Sequence, residues 1–123
     1  MTIMEVLHRI DTLKPNVYSN PEKIKWLSML DGMIKSEIID THADGNDVDF
    51  EGYAEDEELT TELLVPAPYD GIYIHWLEAQ IDYTNAEYEK YENSNTMFNA
   101  AYTAYAKYYN RMHRPLSKRF TSF

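Results

Sequence analysis

A chain of 123 residues with no cysteine and a formal net charge of -10 is long enough to bury a core as one domain. The missing cysteines exclude a disulfide framework, a thiolate zinc site, an iron–sulfur cluster and a cysteine nucleophile. The acidity opposes general binding to phosphate or anionic lipid. No apolar run approaches the ~20 residues of a membrane span, and the start Met1-Thr2-Ile3-Met4-Glu5 lacks the basic opening and apolar stretch of a signal peptide. An intracellular or virion setting is therefore expected.

In chain order, Thr2 and Glu5 form a capping-box pattern, and Ile3, Val6, Leu7, Ile10 and Leu13 recur at helical spacing, predicting a first helix that stops near Lys14-Pro15. Ser19 and Glu22 repeat the pattern ahead of a second helix that carries Ile24, Leu27, Leu30, Ile34 and Ile38 on one stripe and ends near Thr41. Gly32 inside this stripe suggests a bend or a close contact.

Residues 43–65 form an acidic insertion with nine acids between Asp44 and Glu62 and no base. Its length and the alternation of Asp47-Val48-Asp49-Phe50-Glu51 predict an acidic loop or short β-hairpin. A third helix is expected from about Pro68 to Tyr91, with Pro68 in its first turn, Asp70 near the positive end of its dipole, and Ile72, Trp76, Ala79, Tyr83 and Ala86 inward. Asn93-Ser94-Asn95 supplies a break and a cap for a fourth helix with Phe98, Ala101, Tyr105, Tyr108 and Met112 on one face. Ala100, Ala101 and Ala104 would let another helix approach closely. The expected fold class is all-α: a bundle of about four helices, residues 1–114, with a C-terminal helical hairpin and a basic tail at 115–123.

Charge is segregated along the chain. All 21 acids lie at or before Glu92, whereas Lys107, Arg111, Arg114, Lys118 and Arg119 follow with none.

The run Leu64-Val65-Pro66-Ala67-Pro68-Tyr69-Asp70, followed by Tyr73-Ile74-His75-Trp76-Leu77-Glu78-Ala79-Gln80-Ile81-Asp82-Tyr83, resembles small structural-region proteins of phages that infect Gram-positive bacteria. Glu87-Tyr88-Glu89-Lys90-Tyr91-Glu92-Asn93-Ser94, Met97-Phe98-Asn99-Ala100-Ala101-Tyr102 and Tyr108-Tyr109-Asn110-Arg111 extend the likeness, with Trp26-Leu27 and Ile38-Ile39-Asp40-Thr41-His42 as weaker support. The family it is most similar to is the head-to-tail connector, or adaptor, proteins of tailed phages. That resemblance implies a helical bundle that forms a homo-oligomeric ring beneath the portal protein after DNA packaging and offers a platform to the tail-proximal head-completion protein. It implies no catalytic residue, cofactor or metal. In related connectors the C-terminal segment engages the portal, and the corresponding segment here is residues 111–123. A ring templated by the portal does not require the isolated subunit to assemble.

Other constellations have plainer readings. Asp47, Asp49, Glu51, Gly52 and Glu58 fall at calcium-loop spacing, but the flanks are not paired helices, so a solvated acidic loop is expected. His75, Glu78 and Asp82 share a helical face without a second ligand set, and His8, His42 and His113 have no metal-ligand spacing. A small hydrolase would rest on His75, Glu78 and Asp82 alone. Nine of the eleven tyrosines lie between Tyr69 and Tyr109, and Tyr69, Tyr73, Tyr88, Tyr91, Tyr102 and Tyr109 cannot all point inward from two helices. Some are expected at a protein interface. Arg111, Arg114, Leu116, Lys118, Arg119, Phe120 and Phe123, with Tyr102 and Tyr109, are the candidate protein-interface residues, because apolar anchors alternating with cations suit a segment that orders on a partner. Stable nucleic-acid binding is not expected from five cations beside six bases and 21 acids. An acidic protein that mimics DNA is the alternative from charge alone; it would need a distributed acidic face and no basic tail.

Overall fold

The structure, a computed structural model, describes residues 1–116. Four α-helices run in chain order: α1 (Ile3–Leu13), α2 (Asn20–Glu37), α3 (Ile72–Thr84) and α4 (Tyr88–Met112), with short 3-10 turns at Ile39–Thr41 and Gly45–Asp47. Among the described residues there is no β-strand, only isolated bridges at Thr2–Glu62 and His42–Pro115. The expected all-α bundle with a C-terminal hairpin is present.

The first two helices begin where their caps place them. The Thr2 hydroxyl accepts from the Glu5 N–H while the Glu5 carboxylate accepts from Thr2 N–H, and the Ser19 hydroxyl accepts from Glu22 N–H. These bonds occupy N–H groups that a helix start leaves unpaired. Ile3, Val6, Leu7 and Ile10 bury the inner face of α1; Leu13, expected to join them, is exposed. Ile24, Leu27, Leu30, Ile34 and Ile38 bury that of α2 as predicted, whereas a Cβ at Gly32 would meet nothing within 4 Å, so no close contact explains it.

The hairpin differs from its sequence reading. Pro68 does not open α3; it follows a cis peptide bond in the approach segment, and the helix starts at Ile72 with Gly71 as N-cap. The α3–α4 turn falls at Asn85-Ala86-Glu87, and Asn93-Ser94-Asn95 lies inside α4. Ala86 N–H donates to the Tyr83 carbonyl and Glu87 N–H to the Asp82 carbonyl, with Ala86 at a φ of 58°. This is the Schellman closure of a helix C-terminus, built on alanine where glycine is usual. Tyr83 and Ala86, expected inward, are exposed at the turn, and Met112 at the far end of α4 is 62 % exposed. Ser94 is buried instead: its hydroxyl donates to Asp82 Oδ2 at 3.0 Å and meets the Lys90 carbonyl of its own helix, which ties α4 to α3.

The acidic insertion is ordered without a hairpin. Thr61 and Leu59 carbonyls accept from Ile3 and Met4 N–H at 3.0 and 2.9 Å, so it completes the start of α1. Gly52 holds a φ of 109°, a conformation that favours glycine. Its main anchor is Asp31, fully buried on α2, which accepts from Tyr53 hydroxyl at 2.5 Å, Tyr73 hydroxyl at 2.7 Å and Leu64 N–H at 3.1 Å. Tyr73 hydroxyl in turn accepts from Val65 N–H at 2.8 Å. One carboxylate thus joins α2, α3 and the middle and end of the insertion. Burial pushes the Asp31 pKa up, and the three donors only partly offset that shift.

Candidate interaction corner

The C-terminal end of α4 meets the 3-10 turns after α2, and this is where most of the predicted interface residues that the structure describes come together. His42 is the centre. It is 4 % exposed; its Nδ1 lies 2.6 Å from the Ile38 carbonyl and its Nε2 2.8 Å from Asn110 Oδ1. The carbonyl only accepts, so Nδ1 carries the proton. The Tyr109 ring meets His42 edge-on at 4.8 Å, and His113 stacks on Tyr109 at 3.7 Å and 10°.

Past α4 the chain folds back on this corner. Ala43 N–H donates to the Arg114 carbonyl at 2.7 Å and Leu116 N–H to the Thr41 carbonyl at 3.3 Å. His113 Nδ1 lies 2.7 Å from Asp44 Oδ2, and that bond holds the Asp44 carboxyl below the usual carboxylate range. Gly45 is required beneath it: an added Cβ would lie 2.7 Å from the Ile39 carbonyl oxygen. Leu116 lines a cavity of about 310 Å³ with Lys35, Asp40 and Gly45. Asp40, Asp44 and Asp47 surround the corner and, after burial, add to the upward shift of the Tyr109 hydroxyl.

The predicted interface residues therefore divide. Arg111 and Arg114 are exposed and Leu116 is half-buried at the corner, with the Arg111 guanidinium 6.0 Å from the centre of the Tyr108 ring. Tyr109 is 5 % exposed, so its ring supports the corner from inside the chain. Tyr102 lies two turns earlier, half-buried, its hydroxyl donating to Glu37 Oε1 at 2.5 Å; burial first, and then this bond, raise its pKa. Lys118, Arg119, Phe120 and Phe123 lie outside the described residues. Of the other tyrosines flagged for partners, Tyr73 is core and Tyr88 is 58 % exposed beside Tyr83.

Sequence reasoning passed over Asp31, Asp44, and the joint use of His42 and His113. Asp31 had a signal, since it falls four residues after Leu27 and three before Ile34, on the buried stripe of α2. The contact of Asp44 with His113 spans 69 residues and has no local signature.

His75, Glu78 and Asp82 line one cavity of about 350 Å³ together with Lys14 and Ser94. His75 Nδ1 lies 3.4 Å from Glu78 Oε1 without hydrogen-bond alignment, while Asp82 is buried and occupied by Lys14 Nζ at 2.6 Å and by Ser94. Among the described residues no group of three or more histidine, aspartate or glutamate side chains converges to hold a metal ion, the calcium-spaced acids of the insertion included. No helix among them is long and apolar enough to cross a membrane. No family model, curated protein or solved structure matches the chain.

Proposed function

We propose that this protein is a non-enzymatic virion component, a head-to-tail connector that forms a ring on the portal after DNA packaging and gives the tail a place to attach. The observation that carries this reading is the clasped root of the basic tail. Backbone bonds from Arg114 and Leu116 to residues 41–43, and the stack of His113 on Tyr109, fix the point from which Lys118, Arg119, Phe120 and Phe123 continue. An arm with a fixed root docks on a partner with less entropy to lose than one that frays from the last helical turn. Its cations and aromatic side chains suit a protein groove rather than DNA, because the body behind them is strongly acidic. The sequence resemblance to connectors supports the same partner, the portal protein, with the tail-proximal head-completion protein on the other side.

The acids also have a mechanical role in this setting. A channel wall that carries the exposed carboxylates of the insertion repels DNA phosphates and lets the genome slide past without sticking. Ring contacts between copies are heterologous, each copy offering one surface to the next.

The test is co-sedimentation with the purified portal ring encoded alongside this protein, using the full chain and a version ending at Arg114. Binding by the full chain alone supports the connector reading and places the contact in residues 115–123. Absence of binding by both at micromolar concentration removes it.

A further inference from the structure

α4 has an outward face that the other described residues leave uncovered. At about 100° per residue, Glu89, Thr96, Ala100, Ala104, Lys107 and Arg111 fall within roughly 40° of one line along the helix, and all six are exposed. The pattern along this line is not that of an ordinary solvated face. From Asn93 to Ala106 the helix carries no charged residue, although 26 % of the chain is charged. The middle of the line is small, whereas its ends carry opposite charge: Glu89 at the start, Lys107 and Arg111 at the finish. Among the described residues none of these three charges makes an ion pair within the chain.

We infer that this face takes the same face of a second copy, with the two α4 helices antiparallel about Ala100. Antiparallel pairing about that residue sets position 89 against position 111 and position 96 against position 104. Each Glu89 then meets the Arg111 of the other copy, Lys107 lies against its Glu92 end, and the two Ala100 side chains meet on the two-fold axis. Small residues at the crossing let the axes approach to the lower end of the usual 8–10 Å, so the helices touch along the neutral stretch while the end charges pair. A parallel arrangement sets Glu89 against Glu89 and Arg111 against Arg111, and like charges disfavour it. Charge complementarity thus selects both the occupant and its direction. The contact is isologous and closes at two copies. The contact runs along a single helix of each copy, and the dimer forms in a concentration-dependent way. This inference does not rest on the connector reading; the two share Arg111 and otherwise use different residues.

The chain has no cysteine, so Ala100→Cys gives a clean reporter. A disulfide needs Cα atoms within about 7 Å, which this register provides at Ala100 and not at Ser36 on α2. Under mild oxidation Ala100→Cys should form a covalent dimer, and Ser36→Cys should stay monomeric. In sedimentation equilibrium, Glu89→Arg and Arg111→Glu should each weaken the dimer by about tenfold or more. An equimolar mixture of the two should recover it, because every 89–111 pair between the copies is again of opposite sign. Recovery on mixing also shows that both variants are folded. A monomer at all concentrations up to about 0.5 mM, equal crosslinking at Ser36, or a mixture no stronger than the single variants overturns the inference.

Discussion

Asp31 on α2 holds α3 and the acidic insertion through three hydrogen bonds. Two tyrosine hydroxyls and one backbone N–H aim at a fully buried carboxylate. Removing it leaves three inward donors without an acceptor, each costing about 1–3 kcal/mol. Asp31→Ala should therefore lose about 3 kcal/mol or more, measured by urea unfolding. The pH dependence has a definite sign. Burial raises the folded pKa above the ordinary carboxylate value, so the fold favours the protonated form. The stability that comes from this preference is fully present below about pH 4, the unfolded value, and is lost as pH rises through the folded pKa. Relative to Asp31→Asn, the parent protein should thus lose melting temperature as pH rises over that window. A difference between the two curves that is flat or rising would contradict the burial-dominated shift.

At the scale of elements, the helices divide by how local their signals are. The starts of α1 and α2 were legible because a cap and its partner lie three residues apart. The α3–α4 turn was not, because a good helix former occupies the left-handed position that glycine or asparagine normally marks. Ala86 holds a φ of 58°, a conformation that costs an L-residue roughly 1–2 kcal/mol. Ala86→Gly should relieve this strain and stabilise the protein by about 0.5–1 kcal/mol in thermal or urea unfolding, after allowance for the greater freedom of glycine in the unfolded chain. Asn93-Ser94-Asn95 misled for the complementary reason. Polar residues that often end a helix continue this one because Ser94 has a carboxylate partner, Asp82, across the hairpin.

For the molecule as a whole, the C-terminal segment has two parts with different duties. Residues 113–116 cover His42 and Tyr109 and bond to the backbone at 41–43, whereas the chain beyond them belongs to the proposed partner contact. A version ending at Leu116 should melt within about 2 °C of the full chain, while one ending at Met112 should melt several degrees lower, as loss of about 1–2 kcal/mol implies. Differential scanning calorimetry of the three proteins would check this. Equal melting temperatures would mean that the clasp adds nothing to the fold.

By itself the sequence determined the helical class, the first two helices with most of their buried stripes, the presence of an acidic insertion and the separation of acids from the late cations. These depend on periodicity, caps and composition, which act over a few residues. Only the tertiary structure decided that Asp31 would gather the insertion, that His42 and His113 would close one corner, that Tyr109 would serve as support, and that the other described residues would leave the outward face of α4 uncovered. Each of these depends on groups brought together from distant parts of the chain, and burial sets their energies; no local spacing encodes which groups meet.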